Sequence, residues 1–234
     1  MTKPLTKFKT FITIITIFVI CKEAIHLYQH EKTTMPFFIE YTAPVTKEEN
    51  KRTTDFTYYR QLYKNDDLIG RLVIPNLLDI FLVQGKNNEY YLTHSIQKRK
   101  DNRGTEFLDY RITPNSKQIN IYGHNSNTLD IPFKKLEKFL DKDFFTNNSF
   151  IILEHDNGTR TYQILVLKEI TDDYEHMKID TTDVKFKRHL DLLTENAIYK
   201  RNIPYDENAN ILIIQTCSYA KENSYYLLIA IETE

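Results

Sequence analysis

The sequence has no tryptophan, five glycines and two cysteines among its 234 residues, and its formal net charge at pH 7 is −1. So few glycines form neither a G-x-x-x-x-G-K nor a G-x-G-x-x-G phosphate loop, which excludes the usual nucleotide-binding motifs. The balanced charge gives no electrostatic case for nucleic acid as a partner. No set of side chains completes the spacing of a metal site, so we expect neither a metal nor another cofactor.

The small number of cysteines also argues against a disulfide framework. Cys21 lies in an apolar N-terminal segment and Cys217 lies far down the chain, so we expect Cys217 to be a free thiol. Apolar residues, in contrast, make up 41% of the chain and aromatic residues 13%. This composition predicts one domain with a packed core, and the chain is long enough to carry an anchor or stalk as well.

The N-terminal residues predict a membrane anchor. Three lysines precede an apolar run from Phe11 to Cys21, and no small-x-small cleavage site follows it. The run is shorter than the roughly 20 residues that cross a bilayer, but its flanking stretch lengthens it. We therefore expect a single-pass protein of the cell membrane, monomeric, with its functional domain outside the cell. The predicted parts are a cytoplasmic tail with signal anchor (1–30), a stalk (31–50) and a functional domain (51–234).

The remaining sequence predicts many short strands and few helices. Apolar residues at helix-like spacing predict helices within 46–66, 132–140 and 183–200, and "DNG" at 156–158 predicts a hairpin. This pattern is typical of a mainly-β fold with added helices, namely an eight-stranded β-barrel with an N-terminal helix and a long helix before the strand of Cys217. The predicted strands are 69–75, 78–85, 106–110, 118–122, 149–154, 161–170, 210–216 and 225–231.

Two short stretches that follow apolar runs contain the residues suited to catalysis. "IYGHN" (121–125) contains His124, and "IIQTCSY" (213–219) contains Cys217. A thiol nucleophile needs a neighbouring base or cation and a donor for the oxyanion, and barrel rims can hold such groups on a rigid scaffold. The two residue types alone favour a structural interpretation, a small buried cysteine and a surface histidine.

In their local context, these stretches resemble the sortases, the cysteine transpeptidases that attach proteins to Gram-positive cell walls. "TEFLDYR" (105–111), "FLVQGKNNEYYL" (81–92) and the predicted helix at 183–200 are similar to class B members. The resemblance covers roughly residues 50–234 and consists of four stretches in the family's order. It implies a sortase-type β-barrel and a thiol-dependent transpeptidase.

The resemblance also implies a mechanism and partners. Cys217 would attack the Thr carbonyl of a sorting-signal peptide of surface proteins, similar to Asn-Pro-x-Thr-x, and form a thioacyl-enzyme. His124 would act first as general acid and then as general base, while an amine of a peptidoglycan precursor takes over the acyl group. A structural role is an alternative for each further residue that the resemblance assigns to the peptide groove. These groove residues are Thr216, Gln215, Tyr90 and Tyr91.

One family feature is missing. Sortases carry an arginine eight to ten positions after the cysteine, and this sequence has none there. Tyr225 or Tyr226 occupies the place, and a tyrosine hydroxyl donates one neutral hydrogen bond where guanidinium offers charge and a rigid fork. Lys221 and Arg111 are further candidates, although we favour an ion pair with Asp109 for Arg111. The alternative function is therefore a catalytically impaired sortase-fold protein that binds peptide without turnover.

Overall fold

The described part of the molecule is built around nine strands. The structure is a computed structural model that describes residues 54–179 and 183–233, so the predicted anchor (1–30) and stalk (31–50) lie outside the described residues. The strands are β1 (Leu68–Ile74), β2 (Leu78–Val83), β3 (Phe107–Leu108), β4 (Gln118–Tyr122), β5 (Phe150–His155), β6 (Gly158–Thr171), β7 (Tyr199–Lys200), β8 (Ile211–Ser218) and β9 (Ser224–Glu232).

Eight of these strands close into a barrel. Hydrogen-bonded neighbours follow the order β5-β1-β2-β3-β4-β8-β9-β6, and β6 pairs with β5 to complete the ring. The short strand β7 pairs with β6 outside that ring. Most pairs are antiparallel, whereas β2–β3 and β4–β8 are parallel. The predicted mainly-β, eight-stranded barrel is confirmed.

Short helical segments cover the barrel. Helix α1 begins after Asp55, whose side chain accepts a hydrogen bond from the Tyr58 amide, and it ends at Lys64 in the left-handed conformation. The α-helices are α1 (Phe56–Tyr63), α2 (Lys142–Asn147) and α3 (Asp183–Thr194), and the 3₁₀ segments are η1 (Tyr90–Leu92), η2 (Pro132–Leu140) and η3 (Glu175–Met177).

The long helix before the cysteine strand is shorter than the sequence predicts. We expect a helix over 183–200, but α3 ends at Thr194. Asn196 adopts a positive φ of 53°, which stops the helix, and Tyr199–Lys200 then pair with β6 as β7. The apolar period continues past the break because Ala197 and Tyr199 also pack against the core, whereas Ile198 is exposed.

Apolar side chains form a core on each side of strand β8. Leu212 and Ile214 point into the barrel, and Ile211 and Ile213 belong to a second cluster with Phe186 of α3. This explains why the first four residues of β8 are all buried, since α3 covers the outer face as the barrel interior covers the inner one. The strand that carries Cys217 is therefore held rigidly from both sides.

The predicted membrane localisation is corrected. Over residues 54–179 and 183–233 no helix is both long and apolar enough to cross a bilayer, and this finding overturns the expectation of a single-pass membrane protein with an extracellular domain. The segment on which that expectation rested, residues 1–30, lies outside the described residues.

Candidate active site

The fold places His124 and Cys217 side by side at one edge of the barrel. Strands β4 and β8 are parallel, with Tyr122 paired with Gln215, and the Gly123 amide donates to the Gln215 carbonyl at 3.3 Å. Two residues beyond that pair, the same register sets His124 opposite Cys217. Neighbouring strands lie about 4.8 Å apart, so the 92 intervening residues bring the predicted pair into one site.

Asn125 joins the two strand ends. Its side-chain amide donates to the Cys217 carbonyl at 2.9 Å and to Glu137 Oε1 at 2.7 Å, and the side chain of Asn125 is buried. Its backbone N–H lowers the pKa of the Cys217 thiol. The Tyr219 hydroxyl donates in turn to the Asn125 carbonyl at 2.6 Å. The segment after His124 is thereby fixed to the segment around Cys217.

The imidazole of His124 is oriented by a backbone carbonyl. Its Nε2 lies 2.7 Å from the carbonyl oxygen of Leu92, and because a carbonyl only accepts, Nε2 carries the proton. Gly104, which has a φ of +67°, approaches the ring so closely that a Cβ there would lie 3.1 Å from His124 Cδ2. The loop between β2 and β3 thus holds the Nε2–Cδ2 edge of the ring, and the Nδ1 edge faces away from that loop.

Cys217 is a half-buried free thiol. Burial raises the pKa of Cys217, and hydrogen bonds from the backbone N–H groups of Asn125 and of Cys217 itself oppose that rise. The thiol is therefore mainly protonated at neutral pH, and a proton acceptor must be at hand to make it a nucleophile.

The two tyrosines that the sequence predicts as substitutes for the arginine face opposite sides of strand β9. Tyr225 pairs across the antiparallel ladder with Cys217, and Tyr226 pairs with Thr216. Burial raises the pKa of Tyr225, and the charge of Cys217 raises it further. Tyr226 instead lines a small interior cavity together with Thr216 and Leu228.

The predicted groove residues occupy different environments. The Thr216 hydroxyl is buried and donates to the Gly123 carbonyl at 3.0 Å. Gln215 accepts a hydrogen bond from His176 Nε2 at 2.6 Å and is partly exposed. Tyr90 is partly exposed, whereas Tyr91 is fully buried and donates from its hydroxyl to a carboxylate at 2.7 Å. Of the two tyrosines, only Tyr90 is accessible to a peptide in this conformation.

The other candidates for a donor are engaged or exposed. Arg111 makes a bidentate ion pair with Asp109, with Nη2 2.7 Å from Oδ2, as the sequence predicts. The side chain of Asp109 is completely buried and also accepts from the Tyr122 hydroxyl at 3.0 Å. Lys221 is exposed in the turn between β8 and β9.

A buried polar layer under segment η3 was not among the features predicted from the sequence. The His176 carbonyl accepts from the side-chain amides of Gln118 at 2.8 Å and Asn120 at 2.7 Å. His189 of α3 is hydrogen-bonded through Nε2 to Gln118 Oε1 at 2.8 Å and through Nδ1 to Glu175 Oε1 at 2.9 Å. These bonds fix η3 and α3 on the outer face of β4, next to the Cys217 strand. In the sequence, only the polar residues of "QINIY" could have indicated this buried layer. Their alternation with apolar residues is the same as that of a strand with one face in solvent.

Comparison with known proteins agrees with this cysteine–histidine barrel. The chain is 31% identical over 172 residues to sortase B of Listeria monocytogenes, a match that covers 70% of this chain and 68% of that protein. It is 26% identical over 165 residues to sortase B of Staphylococcus aureus, covering 67% of this chain and 65% of that protein. No family model matches the sequence.

Solved structures agree with these relatives. The crystal structure of Clostridium perfringens sortase B has a TM-score of 0.71 at 24% identity, covering 76% of this chain and all of that one (100%). Sortase B from Listeria monocytogenes has a TM-score of 0.67 at 28% identity, covering 74% of this chain and 99% of that one. The fold and the site thus define a barrel-type cysteine transpeptidase. The chain belongs to the sortase family and is class B-like.

Proposed function

We propose that this protein cleaves a sorting-type peptide with Cys217 and transfers the acyl part to an amine. The observation that carries the proposal is the β4–β8 register, which sets His124, two residues after β4, opposite Cys217 of β8, together with the hydrogen bond from the Asn125 side chain to the Cys217 carbonyl. A thiol and an imidazole on a rigid barrel rim are the two groups that acyl transfer through a thioester needs.

The first half of the reaction would form a thioester. Cys217 Sγ, after losing its proton to His124, attacks the carbonyl carbon of a threonine in the peptide, and a tetrahedral oxyanion forms. The C–N bond then breaks, and the imidazolium of His124 gives its proton to the departing amine. Nε2 remains bonded to the Leu92 carbonyl throughout, so Nδ1 is the nitrogen that gains and loses the proton.

The second half would reverse these roles. An incoming amine, which we propose to be that of a peptidoglycan precursor, attacks the thioester carbon while His124 Nδ1 accepts the amine proton. The C–S bond breaks, the new amide leaves, and Cys217 takes back a proton. One imidazole serves in both halves because its ordinary pKa lies near neutral pH.

Tyr225 is the group that we propose for the role of the missing arginine. It is the cross-strand partner of Cys217, and a hydroxyl on that side of the thiol can donate to the oxyanion. Tyr226 faces the interior with Thr216, so it is not suited to the role. A neutral donor stabilises an oxyanion less than a guanidinium does, and we therefore expect slower turnover than in sortases that have the arginine.

A peptide and an amine are also the partners seen in related structures. The solved structures similar to this chain include a Staphylococcus aureus sortase B–substrate complex and a sortase B complexed with triglycine. In the present protein, Gln215 and Tyr90 are partly exposed; Gln215 lies two residues before Cys217 on β8, and Tyr90 lies in η1 with Leu92, whose carbonyl binds His124. We propose that a sorting peptide lies across these residues, with Thr216 shaping the groove through its bond to Gly123.

A peptide-cleavage assay tests the proposal. The full-length protein is incubated with peptides of the Asn-Pro-x-Thr-x type and with triglycine, and products and protein adducts are measured by mass spectrometry. We expect a thioacyl adduct on Cys217 and a triglycine-ligated product, both lost in Cys217→Ala. Cys21→Ala is the matched control, because it removes the other thiol and should leave the reaction unchanged.

The same assay distinguishes the proposed reaction from the alternative function. The missing arginine favours a protein that binds the peptide without turning it over. That alternative predicts saturable peptide binding by the unmodified protein and by Cys217→Ala, with no adduct after long incubation. Binding without an adduct would therefore overturn the proposed reaction.

A further inference from the structure

Tyr91 is completely buried, although the sequence predicts it for the peptide groove. Its side chain is 0% exposed and belongs to a small apolar cluster with Val83, Phe107 and Tyr122. Tyr90, the residue before it, packs against this cluster and stays partly exposed. A hydroxyl inside a core is costly unless it is hydrogen-bonded, so the partners of the Tyr91 hydroxyl show what this side chain holds in place.

The Tyr91 hydroxyl is bonded to the turn between α1 and β1. It donates to Asp67 Oδ2 at 2.7 Å and accepts from Asn65 Nδ2 at 3.0 Å. The Asn65 side chain is 1% exposed and also donates to the Ile96 carbonyl at 2.7 Å, while Lys98 Nζ lies 3.0 Å from Asp67 Oδ2. Burial raises the pKa of Tyr91, and the hydrogen bond to Asp67 raises it further, so the phenol stays protonated and remains the donor.

The backbone at Tyr91 adjoins the imidazole of His124. The Thr105 amide donates to the Tyr91 carbonyl at 2.9 Å, and the carbonyl of the next residue, Leu92, lies 2.7 Å from His124 Nε2. A Cβ on Gly104 would lie 2.6 Å from the Tyr91 carbonyl oxygen and 3.0 Å from that of Leu92. The backbone is thus closely packed here, and a displacement of Tyr91 would move the carbonyl that orients the imidazole.

We infer that Tyr91 is a positioning residue, whose anchored hydroxyl keeps the Leu92 carbonyl in place as the acceptor for His124 Nε2. The inference rests on the proposed function only in giving His124 an acid–base role. In that reaction Nδ1 exchanges the proton because the Leu92 carbonyl retains the proton of Nε2. Tyr91 is too deeply buried to touch a peptide, and it acts through the backbone of Leu92 alone.

The strength of the anchor sets the size of the expected effect. The Tyr91 hydroxyl donates to a carboxylate, and hydrogen bonds to charged groups are stronger than neutral ones. Without this bond, we expect the population of molecules in which η1 has moved away from His124 to increase about 10- to 100-fold. In those molecules the Nε2 proton has lost its acceptor and exchanges with water.

The exchange of the His124 Nε2 proton with water tests the inference. The full-length protein is prepared with isotope-labelled histidine, the ring signals of His124 are assigned by their loss in His124→Gln, and magnetisation transfer from water is measured by NMR. We expect a protected Nε2 proton in the unmodified protein. Tyr91→Phe, which keeps the ring and removes the hydroxyl, should accelerate the exchange at least about tenfold.

The chain offers a matched control in a second buried tyrosine. Tyr162 is also 0% exposed, but its hydroxyl has no hydrogen-bond partner within the described residues. Tyr162→Phe should therefore leave the exchange of the His124 proton unchanged. Asp67→Asn keeps an oxygen that can accept from Tyr91, so it should accelerate the exchange less than Tyr91→Phe does. Asp67→Asn also serves as the test if Tyr91→Phe does not fold.

Three results would overturn the inference. The first is an unchanged exchange rate in a folded Tyr91→Phe, or in Asp67→Asn if only that variant folds. The second is an equal acceleration in Tyr162→Phe. The third is an acceleration in Tyr91→Phe that the backbone amides of the whole barrel share, because a merely structural tyrosine would act through global unfolding. These readouts are independent of peptide turnover, so a failure of the proposed reaction is recognised separately.

Discussion

Tyr225 lies directly across the β8–β9 ladder from Cys217, whereas Tyr226 is turned toward the interior beside Thr216. Side chains of paired residues stand on the same face of a sheet, and successive residues alternate. The register therefore distinguishes two tyrosines that the sequence left equivalent. Of the two, Tyr225 is the cross-strand neighbour of the thiol residue Cys217.

Replacing Tyr225 tests its proposed role as a donor. Tyr225→Phe keeps the ring and removes the hydroxyl, so we expect kcat/KM for transpeptidation to fall on the order of 10²-fold, as when one oxyanion donor is lost. Steady-state kinetics with a sorting-type peptide measures the change. Tyr226→Phe is the matched control and should have little effect. Equal activity in Tyr225→Phe and in the unmodified protein would assign the oxyanion to another donor.

The fold could be predicted because its local signals agree with one another. Strand β4 has the predicted bounds 118–122, and the "DNG" hairpin connects β5 and β6 as expected. The end of α3 could not be predicted, since the apolar period runs on past Asn196 and only the pairing of β7 with β6 reveals the break. Tertiary pairing there outweighs helical periodicity.

Of the candidate site, the sequence predicts the two reactive residues but not the groups that orient them. His124 and Cys217 follow apolar runs, and their sequence contexts identify them. The Leu92 carbonyl that orients the imidazole is a backbone group, and any residue type could supply it. Gln118 and Asn120 alternate with isoleucines as on a solvated strand, yet all five residues of β4 are buried because η3 covers them.

Gly104 is expected to be required for the orientation of His124. A Cβ at this position would lie 2.6 Å from the Tyr91 carbonyl oxygen and 3.1 Å from His124 Cδ2, on a backbone with φ +67°. Gly104→Ala should therefore displace the ring, lower kcat/KM about 10²-fold and cost about 1–2 kcal/mol of unfolding free energy. Kinetics and urea denaturation measure the two effects.

The chain offers a matched control for the strained glycine. Gly158 also has a positive φ, of +140°, but a Cβ there would meet no atom within 4 Å. Gly158→Ala should lose stability through backbone strain and keep its activity. Loss of activity in both variants in proportion to their stability would show that Gly104 acts only through the fold.

The thiol of Cys217 is expected to react slowly at neutral pH. Because burial raises its pKa, the thiolate fraction should increase only above the ordinary range of about 8.5. The rate of alkylation by iodoacetamide, measured against pH in a Cys21→Ser background, should rise through alkaline pH. A midpoint below 7 would instead indicate a thiolate that is already stabilised by a cation in the resting protein.

The buried His176 should make the protein less stable in acid. Burial lowers the pKa of His176, so this side chain is neutral in the folded state and takes up a proton on unfolding once the pH falls below the ordinary value of about 6.5. Its contribution is therefore present at pH 7.5 and lost toward pH 5, as denaturant unfolding at the two values would show. His176→Gln keeps an amide that can bond Gln215 and removes the titration, so it should flatten this dependence. His94→Gln, at a partly exposed histidine, should leave the slope unchanged, and an equal slope in His176→Gln would locate the acid sensitivity elsewhere.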